Sequence, residues 1–104
     1  MSWIVLIVSG VLEAVWATAL GKSHGFTSPV PTAVFAVALI ASMGGLAFAL
    51  RSLPTGTAYA IWVGIGAALT VTYAMVTGDE ASSLVKVGLI LLIVGSVIGL
   101  KVAH

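Results

Sequence analysis

The sequence predicts an all-α membrane protein with four transmembrane helices in each protomer. Apolar residues make up 61% of the 104 residues and charged residues only 7%, whereas a soluble domain carries about 25% charged residues. Four apolar runs are long enough to cross a bilayer, which takes roughly 20 residues. They lie at about residues 3–20, 31–50, 56–77 and 84–102. We expect them to form a single transmembrane domain over residues 1–104.

Short polar connectors separate the four runs. They read GKSHGFTSPVP, RSLPTG and TGDEASS, with the glycines, serines and prolines of turns. Pro31 stands where the second helix is predicted to begin, a position that tolerates proline. Connectors this short force consecutive helices to run antiparallel. The opening MSWIVLIV lacks the charged leader and cleavage site of a secretory signal, so we expect the first run to be retained as a helix.

One carboxylate, Glu13, lies in the middle of the first run, whereas the other charged residues lie near helix ends. A carboxylate at the centre of a membrane helix costs about 2.5–3.5 kcal/mol, so it persists mainly where it faces a cavity, a partner or an ion. Burial disfavours its charged form and a bound cation favours it. A proton and a cation would then compete for one site, as in an antiporter. A structural role, with Glu13 bonded to a neighbouring helix, is the alternative, but no intramembrane Lys, Arg or His can pair with it.

Helical spacing places small residues and one large ring around Glu13. The members of this face are Ser9, Gly10, Trp16, Ala17 and Leu20. A matching face of the third helix consists of Tyr59, Trp62, Val63 and Gly66. Its rings would either hold a cation by cation–π contact or pack as ordinary helix residues. The second helix carries a strip of small residues on which Ser42 is the polar candidate, although a serine bonded to its own backbone is the commoner arrangement.

Glycines mark two further predicted features. Gly64 and Gly66 in the third helix are candidates for a bend or a close helix contact. In the fourth helix, GLILLIVGSVIG spaces Gly88, Gly95 and Gly99, and the last two form a small-xxx-small motif. We expect this face, through Gly88 and Gly95, to contact another helix, within the protomer or in a dimer.

Lysine and arginine are divided equally between the two sides of the predicted membrane domain. Arg51 and Lys101 fall on one side, and Lys22 and Lys86 on the other. Because Lys/Arg bias normally sets orientation, a tie permits dual topology, in which copies insert both ways. So few charges also balance by chance, and the count does not separate these interpretations.

Several classes of function are disfavoured. The absence of cysteine excludes disulfides and thiolate metal sites, and a net charge of +1 without a basic run gives no sign of nucleic acid. We expect no cofactor and no metal. An enzyme is disfavoured because no second acid–base group or nucleophile can reach Glu13 within one protomer.

The chain resembles the small multidrug resistance (SMR) family over essentially its whole length. The strongest matches are Gly10-x-x-Glu13, KSHGFT at 22–27 and LPTGTAYAIWVGIGA at 53–67, and GLILLIVG at 88–95 is similar to the family's dimerisation sequence. The resemblance implies a transporter of the bacterial inner membrane that works as an antiparallel, dual-topology homodimer. Both copies of Glu13 would face one central site that protons and cations occupy alternately.

The tryptophan of EAVWA resembles the guanidinium-exporter branch of this family, since the multidrug branch typically has a small residue at this position. This branch implies a binding site at Gly10, Glu13, Trp16, Ser42, Tyr59 and Trp62. Ser42 and Trp16 would orient the carboxylates, and Tyr59 would gate the site. The expected substrate is guanidinium ion, together with small substituted guanidines.

Departures from the family pattern keep a second hypothesis open. GDEASS lacks the usual proline, Gly21 replaces a bulkier residue, and Met43-Gly44-Gly45 is smaller than the aromatic equivalent in many relatives. The alternative is therefore a broader exporter of quaternary ammonium or polyaromatic cations, acting as a homodimer or as one half of a heterodimer. A proton-conducting rotor subunit is disfavoured because such subunits are usually two-helix hairpins. A non-transporting assembly subunit would have no need of Glu13.

Overall fold

Four α-helices make up the fold of residues 2–103, the part of the chain that this computed structural model describes. They are α1 (Ser2–Lys22), α2 (Pro29–Ala49), α3 (Thr55–Thr77) and α4 (Leu84–Ala103). Each is long and apolar enough to cross a membrane, and residues 2–103 contain no strand. The prediction of an all-α membrane protein with four transmembrane helices is confirmed.

The first turn of α2 accommodates two prolines. Ser28 precedes it in an extended conformation, with φ −91° and ψ 117°, and the helix begins at Pro29, two residues before the predicted Pro31. The turn tolerates both rings because the first N–H groups of a helix have no intrahelical acceptor. The hydroxyl of Thr32 donates to the Ser28 carbonyl at 2.7 Å, which ties the start of α2 to the connector before it.

The connector between α1 and α2 follows a tight path set by its own residues. The Ser23 hydroxyl donates to a carbonyl at the end of α1 at 2.7 Å and accepts the Phe26 N–H at 3.2 Å. His24, Gly25 and Phe26 have positive φ angles of 50°, 70° and 71°, a left-handed backbone that is uncommon outside glycine. This path brings the Phe26 ring to 5.5 Å from the Phe35 ring of α2, measured between centroids.

Two ion pairs lie at one end of the bundle, of which the first joins α1 to the third connector and the second joins that connector to α4. Lys22 Nζ lies 3.1 Å from the Asp79 carboxylate, and Lys86 Nζ lies 3.1 Å from that of Glu80. These side chains are all about half exposed, so each pair contributes about 0–1 kcal/mol. The contact from Lys22 to Asp79 places the end of α1 and the third connector on the same side, as antiparallel helices require.

α1 is the central helix of a flat bundle. It packs against both α2 and α3, and α4 packs on the other side of α3, which gives overall dimensions of 40 × 33 × 17 Å. A buried apolar cluster forms where α1, the end of α2 and the start of α3 meet. Its members are Leu6, Leu46, Ala49, Leu53, Ala58, Ile61 and Trp62. Glu13 lies about 10 Å further along α1 than Leu6, at 1.5 Å per residue.

α4 is peripheral and buries none of its residues. Its backbone lies beside α3 alone among the four described helices. Gly64 is a point of close approach, since a Cβ there would lie 2.7 Å from Val97 Cγ2. A Cβ at Gly88 or Gly95 would meet nothing within 4 Å. α3 runs unbroken from Thr55 to Thr77. The bend at Gly64 and Gly66 stays a prediction, and so does the dimer contact through Gly88 and Gly95 of α4.

Candidate functional site

Glu13 lies near the middle of α1. At 1.5 Å per residue, it is about 16 Å from the first residue of the helix and about 14 Å from the last. The side chain is half-buried, and its Oε1 atom is fully buried without a hydrogen-bond partner. A buried polar atom left unpaired costs about 1–3 kcal/mol. The carboxylate therefore has hydrogen-bonding capacity that no group of the described residues uses at Oε1.

Gly66 of α3 provides the space that the Glu13 carboxyl group occupies. A Cβ built at Gly66 would lie 2.5 Å from Glu13 Cδ and 2.8 Å from Glu13 Cγ, closer than Cβ atoms approach other carbons in proteins. The faces of α1 and α3 that spacing predicted to match therefore meet at this point. A side chain of any size at position 66 would displace the carboxylate.

Trp16 lies one turn beyond Glu13 and is held by packing. Its indole Nε1 is buried and has no hydrogen-bond partner. The ring packs against the buried cluster and meets the Phe35 ring edge-on, with centroids 6.0 Å apart and planes at 75°. One buried donor and one buried acceptor, Trp16 Nε1 and Glu13 Oε1, thus lie unpaired on neighbouring turns of α1.

Ser42 joins the three packed helices. Its hydroxyl donates to the Ser9 carbonyl of α1 at 2.7 Å and accepts the indole N–H of Trp62 from α3 at 3.1 Å. Ser42 therefore does not bond to its own backbone, and neither hydrogen bond reaches Glu13. Within an α-helix the Ser9 carbonyl also accepts the backbone N–H of Glu13, so this chain of bonds is anchored at the turn that carries the carboxylate.

Two glycines let α1 approach its neighbours closely. A Cβ at Gly10 would lie 2.8 Å from Ile65 Cγ2, and a Cβ at Gly45 would lie 3.1 Å from Ser9 Cβ. Gly10, a predicted site residue, thus contacts α3. Its small size sets the separation of the two helices that form the site.

Tyr59 and Trp62 form a second group, nearer the start of α3 than the point where α3 meets the Glu13 carboxylate. Their ring centroids are 5.9 Å apart with planes at 35°. Tyr59 is 55% exposed, whereas Trp62 is buried. Tyr59 lies two helical turns before Gly66, about 10 Å along α3. The protomer thus brings Glu13 and Gly66 together, with Trp16 one turn further along α1. It places Ser42, Trp62 and Tyr59 toward the end that holds the apolar cluster.

A cavity of about 540 Å³ lies at the Lys22 end of the bundle, between α1, α2 and α3. Its lining is apolar apart from Thr18, Lys22 and Tyr73, and it does not include Glu13. It faces the side of α1 that carries Val11 and Val15, so it is separate from the carboxylate.

Two contacts near the site were not predicted from the sequence: that of Phe35 with Trp16, and that of the Ser9 carbonyl with the Ser42 hydroxyl. Gly45, in contrast, belongs to the strip of small residues on which a close helix contact was predicted, and α1 packs there. Phe35 lies in an apolar run without any polar or glycine signal. Helical spacing relates residues on one helix only, so the contacts of Phe35 and Ser9 with other helices had no signature in the sequence.

The fold and the site define a small polytopic membrane protein built around one intramembrane carboxylate. The chain matches the family model described as Small Multidrug Resistance protein over residues 1–93. It therefore belongs to the small multidrug resistance family and is a multi-pass transporter of a bacterial inner membrane.

Several relatives of nearly equal length are named guanidinium exporters. The chain is 46% identical to a guanidinium exporter of Proteus vulgaris over 103 residues, which cover 99% of each protein. It is also 46% identical over 103 residues to a guanidinium exporter of Yersinia pestis, again with 99% of each covered. A guanidinium exporter of Escherichia coli K12 is 44% identical over 104 residues, 99% of this chain and 98% of that protein. The predicted family and branch are thus confirmed, and these relatives are named as exporters, not as enzymes.

Proposed function

We propose that this chain is a proton-coupled antiporter that exports guanidinium and small substituted guanidines, with Glu13 as the shared binding group. The observation that carries the proposal is the buried, unpaired Oε1 of Glu13 in the middle of a membrane helix. The names of the relatives supply the substrate, since proteins 44–46% identical over almost the whole chain are guanidinium exporters.

The chemistry of guanidinium fits the residues around Glu13. Guanidinium is a planar cation whose N–H groups pair side by side with a carboxylate. It is weakly hydrated and stacks on aromatic faces. A carboxylate beside the indole of Trp16, with Gly66 leaving room for it, offers both interactions. The Trp16 ring would also exclude bulky polyaromatic cations by its size.

The working unit we propose is an antiparallel dual-topology homodimer in which two copies of Glu13 face one central site. Two features of the protomer support it. The N–H of Trp16 is a buried donor without an acceptor, and a second carboxylate in the site would supply one. α4 carries an open glycine face at Gly88 and Gly95, a surface suited to close helix contact.

The proposed cycle is alternating access driven by competition for the two carboxylates. The two Glu13 side chains release their protons as guanidinium binds, the dimer exchanges its open side, and protons then displace the cation. In an antiparallel homodimer the two end states are related by symmetry. The proton and substrate gradients, and not the protein, therefore set the direction of transport.

Proton release on substrate binding tests this function. Guanidinium added to the purified protein in weakly buffered detergent should acidify the solution, and E13Q should abolish the signal. E80Q is the matched control, because it makes the same change at an exposed carboxylate whose partner is Lys86. It should release protons like the wild type. Release that survives in E13Q would refute Glu13 as the shared site.

A broader cation range is the second candidate. Gly44 is exposed on α2, and a Cβ there would meet nothing within 4 Å, so this stretch of α2 leaves room for larger substituents. Proton release by tetramethylammonium or a polyaromatic cation from the wild type would favour this alternative. If the site is selective for guanidinium and small guanidines, these cations should release protons from W16G and not from the wild type. No release with any cation, guanidinium included, would contradict both candidates for the homodimer.

A further inference from the structure

Phe35 of α2 contacts the ring that shapes the proposed site. Its centroid lies 6.0 Å from that of Trp16, with the planes at 75°, an edge-to-face arrangement that aromatic pairs favour. Trp16 also packs against the buried cluster of α1, α2 and α3. The indole thus contacts both the cluster and Phe35.

The indole of Trp16 depends on this packing because no hydrogen bond fixes it. Its only polar atom, Nε1, is buried and unpaired, whereas the indole of Trp62 is fixed by its bond to Ser42. Removing a ring that packs against Trp16 should therefore change the orientation of its side chain, while Trp62 should keep its own.

Phe35 is itself supported from the connector between α1 and α2. The Phe26 ring lies 5.5 Å from it, tilted by 55°, and the backbone of Phe26 is held in the left-handed region with φ 71°. Phe26, Phe35 and Trp16 thus form a continuous row of rings that runs from the connector to the turn of α1 beside Glu13. This row is separate from the Ser42–Trp62 bonds.

We propose that Phe35 is a positioning residue that holds the Trp16 ring beside Glu13 and so limits the size of cation that the site accepts. This role rests on the proposed function, because it assumes that cations bind at Glu13. Phe35 acts through Trp16 and does not itself bind the cation. Loss of its ring lets the indole turn away from the carboxylate, which weakens stacking on guanidinium and opens space for bulkier cations.

The test compares F35L with F48L in purified protein and in proteoliposomes. Both substitutions replace phenylalanine by leucine on α2, but the Phe48 ring contacts Arg51, with 5.7 Å from the guanidinium carbon to the ring centroid. In F35L the KM for guanidinium should rise about three- to tenfold, in keeping with loss of an edge-to-face ring contact, with kcat nearly unchanged. Tetrapropylammonium should begin to release protons. F48L should have the KM and the cation selectivity of the wild type. F35Y, which keeps the aromatic ring, should retain selectivity for guanidinium.

Two further measurements separate a positioning role from a general structural one. In a W16G background, F35L should have no additional effect on cation selectivity, because the ring that it positions is absent. The near-UV circular dichroism signal of Trp16 is the part of the spectrum that W16F removes. F35L should change this part, whereas F48L should retain it.

The possible failures point to different conclusions. If the wild type responds to guanidinium and F35L matches F48L in selectivity and in circular dichroism, Phe35 has no positioning role. An additional effect of F35L in the W16G background would also overturn it. If no cation releases protons from the wild type, the proposed function fails, and the limit on cation size fails with it.

Discussion

Replacement of Gly66 by alanine would test whether the contact between α1 and α3 positions the carboxylate. The added Cβ would lie 2.5 Å from Glu13 Cδ, and ordinary contacts of this kind begin at 3.4 Å. The Cδ atom must therefore move by about 0.9 Å, and Oε1, which lies closer to the added Cβ, by more. Alanine also favours a helix over glycine by about 0.8–1.0 kcal/mol, so α3 itself should not be weakened. The effect should fall on Glu13.

The expected result of G66A is weaker guanidinium binding in a protein that still folds. A displacement close to 1 Å misaligns the paired hydrogen bonds between cation and carboxylate. A hydrogen bond to a charged group contributes about 1.5–3 kcal/mol, so loss of one would weaken affinity roughly 10- to 150-fold. Isothermal titration of guanidinium into the purified protein measures this directly, and size-exclusion chromatography checks that the variant remains folded and monodisperse.

G21A is the matched control for G66A. It adds the same methyl group to α1, the helix that carries Glu13, at a position where a Cβ meets nothing within 4 Å. Its affinity for guanidinium should equal that of the wild type. If G66A also binds as the wild type does, then Glu13 does not depend on Gly66 for its position, and the reasoning from this contact is wrong.

Two other results are expected. S42A should lower the free energy of unfolding, measured with denaturant, by about 1–3 kcal/mol, because the buried indole N–H of Trp62 loses its acceptor. The control S96A, whose hydroxyl bonds only within α4, should change it by less than about 0.5 kcal/mol. Equal effects of the two substitutions would contradict this prediction. Guanidinium affinity should fall as pH is lowered, because a protonated Glu13 cannot pair with a cation. Titrations of guanidinium at several pH values should show this fall in the wild type and in the control E80Q. An affinity independent of pH would contradict competition between protons and guanidinium for Glu13.

The fold was largely predictable because membrane helices are determined by length and polarity along the chain. A bilayer requires about 20 apolar residues in each span, and only four stretches meet that requirement. Glu13 was equally visible, since a central carboxylate is costly in any apolar helix. The exact start of α2 was not, because Pro29 and Pro31 are both tolerated in a first turn, and the sequence does not choose between them.

Contacts between helices were predicted less completely. Periodicity identified the α1 and α3 faces that meet at Glu13 and Gly66, because both residues stand out within their own helices. It did not predict that Ser42 donates to the Ser9 carbonyl or that Phe35 meets Trp16. These contacts depend on how far each helix is rotated and shifted against its neighbour. That rotation follows from the packing of many side chains at once, and no single spacing encodes it.

Unpaired polar atoms support a second protomer more strongly than exposed apolar surface does. In water, a helix with no buried residue, such as α4, would by itself call for a partner. In a bilayer, lipid covers apolar side chains as well as another helix does, so the exposure of α4 has little weight. A buried donor and a buried acceptor have no such substitute in lipid. Trp16 Nε1 and Glu13 Oε1 therefore give the stronger reason to expect that a second carboxylate, together with the cation, completes the site.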